Sequence, residues 1–286
     1  MKKIIFFLVL FAWLYPDAQA INNNLRFKKG EQYQIASESK TTVTQDIMGK
    51  TVDFTIKMET IEIYEVKDAS KKEAVLFHKV KKIKMITEGM GGGKTFDSDI
   101  RGDMNDEIAA PLKEILTKTF EITVDNTGKI IGIKSEAGQQ NDSLSQNMNS
   151  MLPGKSLLEL DPKINQPSVF KILPDKTVAK GDSWSDSSST KNSKQFTSYT
   201  LKDITETDIV IDFTTTSETE ASTEAMGMQT SKSTHDTTSG KIILDRFTGI
   251  IRQKMADSKS SGTVSVMGQT LPIAGRTTIL ATVTRQ

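Results

Sequence analysis

The chain has 286 residues, with 37 Lys and Arg against 36 Asp and Glu, two His and no Cys. At 36% hydrophobic and 26% charged it has the proportions of a folded domain, which excludes collagen, coiled coil and whole-chain disorder. A formal charge of +1 argues against a nucleic-acid binder, and the lack of Cys removes disulfides, thiol catalysis, iron–sulfur clusters and thiolate zinc together.

Residues 1–20 read as a cleaved signal peptide. Lys2 and Lys3 form a positive start, Ile4 to Tyr15 an apolar run, and Ala18-Gln19-Ala20 a small-x-small cleavage site after Pro16. Twelve apolar residues span about 18 Å as a helix, short of a hydrocarbon core of roughly 30 Å. No Cys sits at the cleavage site, so a lipoprotein is not expected, and no other run reaches transmembrane length. Removing Lys2, Lys3 and Asp17 leaves 35 basic and 35 acidic residues in 266. The expected location is periplasmic or secreted, where a chain this long buries a core without disulfides.

The next 82 residues, 21–102, read as a first β half. Val52, Phe54, Ile56 and Met58 alternate with Asp53, Thr55 and Lys57, which is period two. Ile61 and Ile63 continue on the other parity, so a bulge is expected near Glu59–Thr60. Ala74–Thr87 follows as a strand. Residues 103–170 read as a helical insert that includes one β-hairpin at 119–134. Ile108, Leu112, Ile115 and Leu116 fall on one helical face, with Pro111 delaying or bending the helix. Leu144, Met148, Met151 and Leu152 form a second stripe, ended by Pro153-Gly154. Residues 171–286 read as a second β half, with strands at Phe196–Leu201, Asp208–Thr216, Lys241–Leu244, Gly249–Met255 and Thr277–Thr284. Thr is dense from Thr197 to Thr238 and suits an exposed strand face.

The turns are legible. Asp125-Asn126-Thr127-Gly128 and Asp245-Arg246-Phe247-Thr248-Gly249 each open with Asp and close with Gly, the pattern of a bulged hairpin. Met48-Gly49, Met226-Gly227 and Met267-Gly268 read as hairpin tips or kinks. Lys29-Gly30-Glu31-Gln32-Tyr33 is similar to Lys180-Gly181-Asp182-Ser183-Trp184, which points to a duplication into two related halves. At these blocks, and at Leu173-Pro174, residues 25 to 286 resemble an uncharacterised family of exported bacterial proteins, a domain of unknown function seen mostly in Bacteroidota. The resemblance implies no catalytic residues. The expected architecture, a long curved antiparallel sheet with a helical insert, is also similar at the level of fold to periplasmic lipoprotein-carrier half-barrels, an analogy that carries little about function. The chain departs from them in lacking an amphipathic helix directly after the leader.

The motifs that could carry chemistry each fail on a required member. Gly91-Gly92-Gly93-Lys94-Thr95 ends like a phosphate loop, but Glu88 stands where its first Gly belongs. Gly181-Asp182-Ser183 resembles a lipase block, but Lys232 replaces the Asp that should precede His235 by three residues. Asp97-Ser98-Asp99 starts like a calcium loop, but Arg101 and Ile108 occupy ligand positions. Met226, Met228 and His235 could suggest copper(I), without a dense Met motif. His78, among Lys79, Lys81 and Lys82, reads as solvated or half-buried, and these lysines as a solvated or edge-protecting face. No metal, cofactor or enzymatic activity is expected.

The expected fold is therefore mainly β: a long curved antiparallel sheet, open barrel or sandwich, from two related halves with the helical insert over its apolar side. The expected function is binding or carriage of an apolar or lipid-like ligand in the periplasm. Phe54, Ile56, Met58, Leu112, Ile115, Leu116, Met148 and Leu152 are the expected lining, although the same residues would equally make a sealed core. The alternative is an envelope interaction module without a cavity, its partner a protein docked on exposed strands.

Overall fold

The computed structural model describes residues 20–47, 50–89, 92–103, 109–135, 162–190, 192–225, 228–266 and 269–286. These form β1 (Gln32–Ile47), β2 (Lys50–Ala69), β3 (Glu73–Glu88), β4 (Lys94–Asp97), α1 (Ala109–Thr117), β5 (Thr119–Asp125), β6 (Ile130–Ser135), β7 (Ser183–Thr190), β8 (Ser193–Ile204), β9 (Asp208–Ala225), β10 (Met228–Asp245), β11 (Ile251–Val266) and β12 (Gln269–Arg285). All twelve strands belong to one antiparallel sheet in the order β6-β5-β3-β2-β1-β12-β11-β10-β9-β8-β7, with β4 on the upper part of β3. The chain starts mid-sheet, walks out to β6, reappears at the opposite edge as β7, and returns until β12 pairs with β1. The ends β6 and β7 do not meet, so the sheet is an open one and not a closed barrel. At 20 residues, β2 is about 65 Å long.

Three hairpins are paired up to the residues that flank the Met-Gly pairs of the sequence. The last described pairs are Ile47 with Lys50, Ala225 with Met228, and Val266 with Gln269. Met48-Gly49, Met226-Gly227 and Met267-Gly268 stand between them, outside the described residues. The bulge is elsewhere than expected. The β1–β2 register runs unbroken from Gln32–Glu65 to Ile47–Lys50, so β2 keeps one parity as far as Val66, beyond which its pairing with β3 shifts again before Asp68. Met58, Thr60, Glu62, Tyr64 and Val66 face inward and are buried, while Ile61 and Ile63 lie on the other face. The irregularity lies between Ile61 and Glu62 in the β2–β3 pairing, where Lys81 of β3 has no counterpart. Apolar parity alone misplaced it, because polar Thr60 and Glu62 occupy core positions.

The inner face is buried most deeply near one end, the base. One cluster joins Tyr33, Ile35, Tyr64, Leu76, Phe120, Ile122, Val124 and Ile130, and is covered by Leu25 and Phe170. A second joins Trp184, Leu201, Ile209, Ile211, Phe213, Ile242 and Leu244, and is covered by Leu173 and Val178. Segments 20–28 and 162–182 thus cover the base of both halves. Leu25 N–H donates to Asn126 carbonyl (2.7 Å) and Arg26 N–H to Thr248 carbonyl (2.9 Å), so the two Asp…Thr-Gly turns grip the same strap.

The two halves repeat each other bond for bond at their starts. Gly30 N–H donates to Val66 and Val66 N–H to Glu31; Gly181 N–H donates to Leu201 and Leu201 N–H to Asp182. Gly30 and Gly181 both sit at positive φ, 85° and 94°, where glycine escapes the Cβ clash. The β5–β6 hairpin belongs to the main sheet and closes, like β10–β11, on an Asp…Thr-Gly turn, one residue shorter than its counterpart. The helical content among the described residues is α1, nine residues long, with Pro111 in its first turn as position N3 or earlier tolerates. The second helical stripe, at 144–152, falls outside the described residues.

Candidate functional site

Residues directly opposed on neighbouring strands share a face, so the inner face reads as rows. One row is Trp184, Tyr199, Phe213, Gly240, Ala256 and Ile279 across β7 to β12. Toward the tips, the two rows that follow it on β8–β11 are polar. Trp184 stacks on Tyr199 at 5.4 Å and 13°, its Nε1 donates to Ile172 carbonyl (3.2 Å), and burial, with Asp186 adding, pushes the Tyr199 phenol up to about 12. A Cβ at Gly240 would lie 2.7 Å from the Phe213 ring, so the aromatic needs that glycine.

The next row toward the tips is Asp186, Thr197, Thr215, Thr238, Ser258, Thr277 and Thr41, across β7 to β12 and β1. Six consecutive strands present a hydroxyl, and alternate pairs bond at 2.9 Å: Thr197 with Thr215, Thr238 with Ser258, Thr41 with Thr277. Beyond it stand Ser188, Gln195, Ser217, Asp236, Ser260 and Gly275. On β9, Thr215, Ser217 and Thr219 are half-buried while Thr214, Thr216 and Glu218 on the outer face are exposed. The inner face therefore stays sheltered above its apolar base.

In the first half the same rows carry apolar side chains on β2. Phe54 faces Val43, while Ile56 stands between Thr41 and Thr87 and Val52 faces Gln45; Phe54 and Ile56 are half-buried. Met58, one row nearer the base, is buried and faces Met85, which faces Phe96. Leu112 and Ile115 of α1, 3% and 0% exposed, pack with Val80, Ile83 and Phe96 in a third cluster that Leu116 flanks. Of the expected lining, the structure thus brings Met58, Leu112, Ile115 and Leu116 to α1 and the β3–β4 region, and leaves Phe54 and Ile56 on an open stretch of inner face. Met148 and Leu152 lie outside the described residues.

His78 is neither solvated nor half-buried. It is 1% exposed, its Nε2 lies 3.0 Å from Glu62 Oε2, and its ring stacks on Phe120 at 4.4 Å. The hydroxyls of Ser37 and Thr60, which face each other across β1–β2, and His78 Nδ1 have no hydrogen-bond partner among the described residues. Sequence reasoning missed Glu62; the only signal was its inward parity on β2.

The other motifs have structural roles. Asp182 accepts from Ala179 N–H (2.9 Å), and Ser183 pairs with the Thr200 hydroxyl (2.9 Å). His235 is exposed on the outer face opposite Glu218, and Glu218 faces Lys194. Lys194 and Thr200 are six residues apart on β8, about 20 Å, so Ser183 and His235 cannot act together. Asp97 and Asp99 are tied to Lys82 (3.7 and 2.6 Å). Among the described residues no group of three or more acidic or His side chains could hold a metal, and no helix is long and apolar enough to cross a membrane.

The two turns are electrostatic twins. Asp125 Oδ1 accepts from Thr127 N–H, the Thr127 hydroxyl and Lys129 N–H at 2.8–3.0 Å; Asp245 Oδ1 accepts from Phe247, Thr248 and the Thr248 hydroxyl over the same range. Burial alone would raise both carboxyls, but these bonds, with Lys171 or Arg252, hold them below the usual range. Beside the second turn lies a cleft of about 340 Å3 lined by Tyr33, Phe247, Ile250 and Arg285.

The chain belongs to the family of unknown function DUF6263, which matches residues 71–251. No curated protein matches it. Among solved structures it is similar to one described as lipid–protein interactions in lipovitellin, at 12% identity and a TM-score of 0.47, over 91% of this chain and 26% of that one. It thus spans about a quarter of that protein. It is also similar to an outer membrane channel from Pseudomonas putida F1, at 7% identity and a TM-score of 0.26, over 92% and 98% of the two chains. The translocator domain of the autotransporter NalP from Neisseria meningitidis gives 7% and 0.20, over 90% and 89%.

Proposed function

We propose that this is an exported, non-enzymatic protein that binds an amphiphilic, lipid-like ligand along the inner face of its open sheet. The leader-like residues 1–20 support export to the periplasm or the exterior. The observation that carries the reading is the sheltered inner face above the sealed base, half-buried on β9 where the outer face is exposed. A solid module would extend its apolar clusters to the tips or leave both faces equally wet. The apolar side chains Phe54 and Ile56 belong to this face; Met58, Leu112, Ile115 and Leu116 support it from beneath as packing. The separation of Ser183 from His235 supports a role without catalysis.

One observation favours an interaction module instead. Seven of the eight residues of edge strand β7 are exposed, and a partner strand could add there. Native mass spectrometry of protein purified without detergent from the envelope of its own cells decides between them. Excess mass that extracts into organic solvent and fragments as lipid is the expected result. A clean mass that takes up no offered lipid overturns ligand carriage.

A further inference from the structure

Resting on that reading, we propose that the ligand is a glycolipid: its acyl part lies against β1–β2 and its uncharged, polyhydroxylated head against the hydroxyl rows of β8–β11. β2 and β8–β11 differ in chemistry at equal height. Phe54 and Ile56 stand on one; Thr215, Ser217, Thr238 and Ser260 stand on the other. On β8–β11 the hydroxyl row from Thr197 to Ser258 crosses four strands, about 14 Å at a spacing of about 4.8 Å per strand. This width admits a head of more than one ring.

Hydroxyls both donate and accept, and pairing two of them leaves donor and acceptor capacity on the pair. A sugar offers the same mixed valence. A phosphate only accepts and favours cations, above all guanidinium. The charges on this wall are Asp186, Asp236, Lys232 and, at its foot, Lys254, whose ammonium lies over the Phe213 ring, and no Arg points inward on β8–β11 in these rows. Asp236 accepts from Ser217 (3.4 Å) and lies on the same face as Lys232. An anionic head would therefore meet two carboxylates and two amines, with no net positive charge to hold it. Burial lowers the affinity of the Lys232 amine for its proton, with Asp236 opposing the shift.

The test offers the protein, purified as above and stripped of bound lipid, three probes with identical acyl chains: a monoglucosyl diacylglycerol, a phosphatidylglycerol and a diacylglycerol. Binding is read by native mass spectrometry. The glucosyl probe should bind at least about tenfold more tightly than either other, the order of discrimination that a hydroxyl-recognising wall supplies. Thr215→Val with Thr238→Val, nearly isosteric changes, should reduce that preference to within about twofold while diacylglycerol binding persists. If that variant does not fold, Ser217→Ala with Ser260→Ala is used in its place. Equal or tighter binding of phosphatidylglycerol or diacylglycerol by the unmodified protein overturns the head assignment and leaves the amphiphile reading standing, as does a glucosyl preference unchanged in the variants. Binding of none of the three overturns both.

Discussion

The two halves of the sheet share strand pairing and turn chemistry and differ in what they place on the inner face. On β1–β3 the face mixes apolar side chains of β2, Phe54, Ile56 and Met58, with the hydroxyls of Thr41 and Thr87, and its buried Glu62–His78 pair is sealed at 0% and 1% exposure. On β8–β11 the apolar run stops at the Trp184–Ile279 row, and every strand from β8 to β11 switches to a hydroxyl in the next. The two halves therefore share backbone pairing while their side chains differ. A β-strand permits this because inner and outer positions alternate independently of what any one of them carries.

The largest break in this comparison should come from the buried pair. His78→Leu leaves the Glu62 carboxylate without its imidazole and should cost about 3–5 kcal/mol in chemical denaturation. Adding Glu62→Met should recover most of that loss; a double variant as unstable as the single one would show that the pair itself holds the first half together. The aromatic row of the other half is tested by Gly240→Ala. Its new Cβ would stand 2.1 Å from Met255 carbonyl and 2.7 Å from Phe213, and overpacking of this kind costs about 1–3 kcal/mol. Loss of the Trp184 fluorescence signature should accompany it.

The turns should respond alike, which sharpens the likeness of the halves. A carboxyl held below its ordinary value contributes stability that is present above the unfolded value, about 3.9 for Asp, and is lost as pH falls through the folded one. Asp125→Asn and Asp245→Asn should each cost about 1–2 kcal/mol near neutrality and flatten the acid limb of the stability curve below pH 4 or so. A variant whose acid limb matches the unmodified protein would remove that turn from the grip on Leu25 and Arg26. The smallest effect is expected on the hydroxyl wall. Thr215→Val should change stability by less than about 1 kcal/mol, because Thr197 still receives Gln195 Nε2 at 3.3 Å. A larger loss would make the ladder a structural element and weaken its assignment to a ligand.

Period-two alternation, the Asp…Thr-Gly turns, the Lys-Gly-acid starts and the Met-Gly positions were all readable in the sequence, because each is a local rule of backbone geometry. So was the helix around Leu112 and Ile115. The inward-facing hydroxyls could be read only as an exposed face, since Thr serves equally well on a wet strand and within a sheltered one. Which of the two it is depends on what stands opposite, and that is a long-range fact: Thr41 and Thr277 meet across 236 positions. The bulge near Glu59–Thr60 was misplaced for the same reason. A polar residue at a core position looks like a change of parity until its partner, here His78 for Glu62, is known. The sequence by itself determined the strands, the turns and their repetition. Tertiary structure alone decided which face each strand turns inward, that β1 meets β12, and that β2 sets apolar side chains at the height where β8–β11 set hydroxyls, because pairing between distant strands depends on the whole sheet and not on any segment's own preference.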